Sequence, residues 1–224
     1  MEKKLKIGLI VPPSDNEVPP EAEMLYGDEI DFIAYGLNIE KMCEAEFSCA
    51  MERIDEAAEE LFQYGVDAIS VMGTSLTFFQ GRDGNEEIIQ RLRHKAPGIP
   101  VTTLSSSMIN ALQMTGAQKV AVFTAYSDEM NQRLKYFLLQ NNMEITRLDS
   151  LGLVDIKDVH NLSAEELLTP IETSLECARQ EADALFISCG GLRTLEINKK
   201  WNDFPIISSS VDGIEDIVRL ARQA

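Results

Sequence analysis

The sequence is poor in the residues that build metal centres and nucleic-acid surfaces. It holds only two histidines, His94 and His160, and four cysteines, none in CxxC spacing, so no zinc site is expected. Aromatic residues make up 7% of the chain, too few for a base-stacking surface. Positive charge is also scarce. Twenty Lys and Arg stand against 37 Asp and Glu, for a formal net charge of −17. Such a surface repels phosphate backbones and anionic lipid. Neither nucleic acid nor membrane is therefore expected as a partner, and any site for an anion must be local. G-x-G-x-x-G, P-loop, H-E-x-x-H and EF-hand patterns are missing, and no cofactor or metal is expected. The apolar run Leu5–Val11 that follows Met1-Glu2-Lys3-Lys4 is too short for a signal core or a bilayer span. A reducing, cytoplasmic setting with Cys43, Cys49, Cys177 and Cys189 as free thiols is the expectation.

What the 224 residues do contain is alternation. Short β-branched runs at Leu5–Val11, Ala68–Met72, Val101–Thr103, Val120–Thr124, Ile145–Leu151, Ala184–Ser188 and Ile206–Ser208 read as strands. Several are apolar on consecutive residues, as suits a parallel sheet buried on both faces. Longer amphipathic segments at Ala45–Tyr64, Asn85–Lys95, Ser106–Thr115, Asp128–Asn141, Ala164–Glu181 and Gly213–Arg222 read as helices. Ser163 with Glu166 has the spacing of a capping box, and Gly65 and Gly116 sit where helices should stop. The pattern predicts a layered α/β fold.

Three blocks recur in order. Lys6–Ser14 resembles Lys119–Ser127, Val66–Thr74 resembles Ala182–Gly190, and Ile99–Ser107 resembles Phe204–Ser210, at offsets of 113, 116 and 105. Three matches in order predict two pseudo-symmetric parallel-sheet αβ halves: residues 1–107 with a C-terminal helix from 209–224, and residues 108–208. Ligands of open parallel sheets bind beyond the carboxyl ends of the strands, and each block ends in such a loop. If the halves face each other, Pro13 opposes Tyr126 and Gly73 opposes Cys189. A symmetric frame would then carry a thiol on one side only.

Ile187-Ser188-Cys189-Gly190-Gly191-Leu192 places that thiol at a strand end, before two glycines and an expected helix start. Glycines let backbone N–H groups approach a ligand, and a helix N-terminus favours negative charge. A thiol so placed is suited to exchanging a proton with a carbanion beside a carboxylate. A free cysteine is also commonly a small buried apolar residue, and spacing alone leaves both readings open. In Met72-Gly73-Thr74-Ser75-Leu76, hydroxyls and N–H groups at a strand end fit an oxyanion hole or an ordinary N-cap. The frame lacks the second glycine of a G-x-S-x-G nucleophile elbow. Both histidines lie outside these loops, so a Ser-His triad is poorly supported. Tyr126 offers a further donor to a carboxylate, or a packing role at the cleft edge. In the loop after the first strand, Pro12 and Pro13 shape a wall and Asn16 is a candidate to reach an anion. The hydroxyl-rich runs Thr102–Ser107 and Ser208–Ser210 are expected to cap helices.

Four segments together resemble the aspartate/glutamate racemase superfamily, and within it the arylmalonate decarboxylase family. They are Gly8–Pro13; Met72–Phe78; Thr124-Ala-Tyr126 with Asn131–Leu134; and Ser188–Leu192 with Thr194-Leu195. The racemases use two cysteines, one on each face of the substrate, and here the first position is Gly73. The resemblance implies cofactor-independent decarboxylation of a malonate-type dicarboxylic acid. Thr74, Ser75, Tyr126 and backbone N–H groups near Cys189 and Gly190 would hold an enediolate, and Cys189 would protonate it. It implies an apolar pocket for the departing carboxylate among Ile39, Met42, Phe47, Leu76, Ile156 and Val159. Pro12, Pro13 and Gly191 would border the larger substituent. Pro13-Ser-Asp-Asn-Glu17 also partly resembles the loop of maleate isomerases, so a maleate isomerase or racemase-like isomerase stays open, although Gly73 counts against a second thiol. A non-catalytic carboxylate-binding protein is the remaining alternative, and a serine hydrolase acting through Ser75 is more distant. A small carboxylate or dicarboxylate is the expected partner, and the chain is read as a monomer or homo-oligomer.

Overall fold

The computed structural model describes residues 4–201 and 203–224. Two four-stranded sheets, all parallel, have the same strand order in the two halves. The first is built from β1 (Leu5–Val11), β2 (Ile30–Gly36), β3 (Ala68–Val71) and β4 (Val101–Thr103), ordered β2-β1-β3-β4. The second is built from β5 (Lys119–Tyr126), β6 (Glu144–Leu153), β7 (Ala184–Ser188) and β8 (Ile206–Ser208), ordered β6-β5-β7-β8. The matching orders pair β1 with β5, β3 with β7 and β4 with β8, which are the strands of the three recurrent blocks. Every residue of β3 and β7 is buried, as the unbroken apolar runs require.

The strand Ile30–Gly36 was not anticipated. It is a sheet edge, its residues are mostly half-buried, and it carries neither a continuous apolar run nor clean alternation. Four short helices were not anticipated as such either: α1 (Pro20–Tyr26), α3 (Thr74–Phe78), α7 (Ile156–His160) and α9 (Leu195–Lys200), each of five to seven residues; α4 (Gly81–Lys95) begins four residues before the expected Asn85. The expected long helices are present as α2 (Glu44–Gln63), α5 (Leu104–Thr115), α6 (Asp128–Gln140), α8 (Ala164–Glu181) and α10 (Ser209–Gln223).

Their ends follow the local chemistry. Ser163 accepts from the N–H of Glu166 and the Glu166 carboxylate accepts in return from the N–H of Ser163, a complete capping box. Gly116 closes α5 at φ 76°, a left-handed conformation open to glycine. Thr103 caps α5 by accepting from the N–H of Ser106 at 3.1 Å, and Ser208 caps α10 by accepting from Val211 at 3.4 Å.

The C-terminal helix α10 packs on the first sheet rather than the second. Its Ile214, Ile217 and Val218 share one apolar cluster with Ile7, Leu9, Ala68 and Met72. A second cluster runs through both halves and includes Ile10, Phe78, Phe123, Tyr126 and Phe186. The rings of Phe78 and Tyr126 meet edge to face at 5.6 Å across the junction, a preferred aromatic geometry. A short antiparallel bridge between Lys41 and Asp155 also joins the halves. It is flanked by hydrogen bonds from Met42 N–H to the Val154 carbonyl and from Ile156 N–H to the Glu40 carbonyl, each 2.9 Å. No helix among the described residues is long and apolar enough to cross a membrane.

Candidate active site

A cleft opens between the halves at the carboxyl ends of the strands. Gly73, Thr74 and Ser75 after β3 and Cys189, Gly190 and Gly191 after β7 line it together, with Tyr126 at the end of β5. The two loops are in direct contact. A Cβ built on Gly190 would lie 3.1 Å from the Met72 carbonyl oxygen and 3.7 Å from Thr74 Oγ1. It would also stand 2.7 Å from Leu104 Cδ1, so a side chain here would require Leu104 and the Met72 loop to give way. Across the cleft, Gly73 presents no side chain.

Each loop is pinned by a hydroxyl pair. In the first half, Thr77 Oγ1 donates to the Gly73 carbonyl at 2.9 Å and lies 2.7 Å from Ser105 Oγ, which donates to the Thr74 carbonyl at 3.1 Å. In the second half, Thr194 and Ser210 hydroxyls meet at 2.6 Å. Ser105 and Ser210 occupy matching positions of the third recurrent block, so the hydroxyl-rich runs serve the loops as well as the helix caps. The Thr124-to-Asn131 segment has a similar purpose. Thr124 Oγ1 donates to Asn131 Oδ1 at 2.7 Å, and Asn131 Nδ2 donates to the Tyr126 carbonyl at 3.2 Å. Ser150 Oγ donates to that carbonyl as well. The backbone under Tyr126 is thereby fixed.

The buried hydroxyls beside the cleft have few close partners. Tyr126 is fully buried; its hydroxyl meets Ser188 Oγ at 3.4 Å, and the Thr74 and Cys189 side chains also act on it. Thr74 Oγ1 is buried without a hydrogen-bond partner among the described residues. Leaving a buried hydroxyl unmatched costs about 1–3 kcal/mol. Such groups in a native fold call for an explanation, and both lie among the residues lining the cleft.

Cys189 is buried at 7% exposure. Burial pushes its pKa up to about 11, against the backbone N–H groups of Gly191 and Leu192 and the Tyr126 hydroxyl, which favour the thiolate. The helix start expected after Gly190 and Gly191 is not there. A turn occupies that position, and α9 begins only at Leu195. The anion-favouring helix end is therefore displaced and desolvation prevails. The thiol is protonated at neutral pH. Burial likewise pushes Tyr126 well up, and the neighbouring Cys189 raises it further.

Of the remaining expected site residues, Pro12, Pro13, Met42, Phe47, Leu76, Ile156, Val159 and Gly191 line the same cleft. Met42 precedes α2 and Ile156 opens α7, so the bridge between the halves brings the apolar wall together. Two expectations need correction. Ile39 is buried in the core rather than lining the cleft. Asn16 is not among the cleft-lining residues, and its Oδ1 accepts from the Gly36 N–H at 2.7 Å, tying the loop after β1 to the edge strand.

Sequence reasoning missed the mouth of the cleft. Asp15, Glu17, Glu21, His160 and Arg193 line it, so His160 belongs to the site although it is remote in sequence from both loops. Desolvation by the surrounding loops lowers its pKa, aided by Arg193 and opposed chiefly by Asp15 and also by Glu17. Glu21 is buried at 5% exposure. Burial raises its pKa, while its own and the Thr194 backbone N–H groups and Arg193 lower it. No spacing rule points to these residues; only the convergence of the loop after β1, helix α1, the end of α7 and the loop after β7 does.

A family model described as arylmalonate decarboxylase matches residues 7–224. The chain is 35% identical over 219 residues to arylmalonate decarboxylase of Bordetella bronchiseptica, covering 96% of this chain and 90% of the relative. The chain belongs to the arylmalonate decarboxylase family. A solved arylmalonate decarboxylase, in liganded form and carrying one glycine-to-cysteine and one cysteine-to-serine substitution, superposes with a TM-score of 0.90. It is 33% identical, with 97% of this chain and 93% of that one covered. The maleate isomerase of Pseudomonas putida S16 superposes at a TM-score of 0.86 with 18% identity, covering 97% and 92% of the two chains. That likeness shows a shared racemase-type fold. As a member of the arylmalonate decarboxylase family, this chain has the two-sheet frame and a cysteine and a glycine in one cleft.

Proposed function

We propose that the protein is a cofactor-independent decarboxylase of malonate-type dicarboxylic acids, in which Cys189 is the sole proton donor to the reacting carbon. The observation that carries this reading is the composition of one cleft: a thiol protonated at neutral pH, a bare Gly73, and the unpartnered hydroxyl of Thr74.

One carboxylate of the substrate accepts hydrogen bonds from Thr74, Ser75 and Tyr126 and from backbone N–H groups by Cys189 and Gly190. The other carboxylate lies against Met42, Phe47, Leu76, Ile156 and Val159, where a charge is poorly solvated. Breaking its bond to the α-carbon releases neutral CO₂. The electron pair passes to the retained carboxyl, which becomes an enediolate. Preorganised donors stabilise that developing charge most. The Cys189 thiol then gives its proton to the α-carbon, forming the monocarboxylate, and the thiolate recovers a proton from water. With its pKa near 11, the thiolate does not persist at neutral pH. Because Gly73 offers no acid opposite, protonation falls on one face, and a disubstituted malonate gives a chiral product.

Incubation in D₂O with phenylmalonate, and separately with single enantiomers of amino acids, tests this. CO₂ release with one deuterium on the product carbon is the expected result. Deuterium exchange with inversion and no CO₂ would instead make the protein an isomerase.

A further inference from the structure

The cleft changes character along its length. Inside lies the apolar wall. At the mouth, Asp15 and Glu17 stand on the loop after β1, while His160 at the end of α7 and Arg193 in the loop after β7 come from the other half. These groups lie within one another's fields: Asp15, Glu17 and Arg193 each act on His160. They also lie close to the chemistry. The His160 ring rests over Gly191, where an added Cβ would stand 2.8 Å from Cδ2 and 2.9 Å from Nε2, and Gly191 is two residues from Cys189. Neither Arg193 nor His160 takes part in an ion pair within 4 Å or a side-chain hydrogen bond among the described residues, although Arg193 also acts on the buried Glu21.

Three kinds of substituent would meet this mouth differently. A plain hydrocarbon strips water from four polar groups and returns nothing. A terminus with a full charge of either sign finds a like charge on the facing wall. A neutral group that both donates and accepts satisfies acids on one wall and cationic or imidazole donors on the other. On the reading of the site as a malonate decarboxylase, we propose that its substrate is a malonate whose larger substituent ends in a neutral hydrogen-bonding group, such as a phenol, alcohol or carboxamide. Arg193 and His160 are the residues that determine this specificity.

The test compares kcat/KM for 4-hydroxyphenylmalonate and phenylmalonate in the wild-type protein and in the double variant R193L/H160A. The ring's own electronic effect on bond breaking cancels between the two proteins. The preference for the hydroxylated compound should fall by roughly tenfold in the variant, the value of one net hydrogen bond. The conservative variant R193K should retain most of it. An unchanged preference would overturn the proposal. So would a wild-type preference for the 4-carboxyphenyl or 4-aminomethylphenyl malonate over the hydroxylated one. Calorimetric binding of 4-hydroxyphenylacetate and phenylacetate reads the same preference without turnover. Absence of decarboxylation in every arm therefore counts against the proposed function, and an equal affinity for the two acids counts against the specificity.

Discussion

Replacing Gly73 by cysteine and Cys189 by serine together transfers the acid from one wall of the cleft to the other. The structure gives the cost. Gly73 has φ −115° and ψ 95°, an extended conformation that any L-residue adopts, so no backbone strain arises. A Cβ there would lie 3.1 Å from Leu76 Cβ and 3.2 Å from Pro12 Cγ. Leu76 can shift by a few tenths of an ångström, whereas Pro12 is rigid. Overpacking of this kind costs about 1–3 kcal/mol, within the reserve of an ordinary domain. The double variant should fold and decarboxylate 2-methyl-2-phenylmalonate at a reduced rate, because the relocated thiol lacks the Gly191 and Leu192 N–H groups that assist Cys189. Its product should have the opposite handedness. Chiral chromatography of the 2-phenylpropanoate measures this directly. Product of unchanged handedness would refute the facing-loop reasoning, since proton delivery would then be independent of which wall holds the sulfur.

Thr74→Val should lower kcat by about 10²–10³, the usual effect of losing one oxyanion donor. It should also stabilise the unliganded protein by about 1–3 kcal/mol, because it removes a buried hydroxyl that lacks a partner; thermal unfolding alongside initial rates checks both halves. Since the acid is a thiol whose pKa is pushed up to about 11, activity should hold from neutral pH to about 10 and fall as the thiol ionises above that; a basic limb near 8 would contradict the burial argument. Asp212 has its carboxyl pushed from an ordinary value near 3.8 up to about 7, first by burial, while the Ser208 N–H it accepts at 2.7 Å opposes the rise. A folded-state pKa raised in this way gives a contribution to stability that is complete below pH 3.8 and lost as pH rises through 7. Asp212→Asn should therefore match the wild type near pH 4 and exceed it at pH 8, by at most about 4 kcal/mol; parallel denaturation curves at both pH values would count against it.

What was readable in the sequence is what local chemistry encodes. Unbroken apolar runs mark strands buried on both faces, and β3 and β7 are buried throughout. The capping box at Ser163 is a matter of four residues. Recurrence in order predicted two like sheets, which the strand orders match, and put Gly73 opposite Cys189; both line one cleft. The edge strand β2 escaped notice because half-buried residues leave no periodic signal. The five-residue α7 was missed because it completes little more than one turn. That omission hid His160, whose place at the mouth depends on α7 meeting the loop after β7. Asn16 misled for a related reason: a polar residue in a site loop serves the loop's own backbone, here the Gly36 N–H, as readily as a ligand.

Turnover of phenylmalonate by Cys189→Ser, with folding verified by circular dichroism, puts the role of the thiol to its most direct trial. A serine hydroxyl keeps the shape but is a far weaker acid, and loss of a positioned general acid should slow product formation by about 10²–10⁴. A variant that releases CO₂ and forms the acid at the wild-type rate would show that the proton comes from elsewhere.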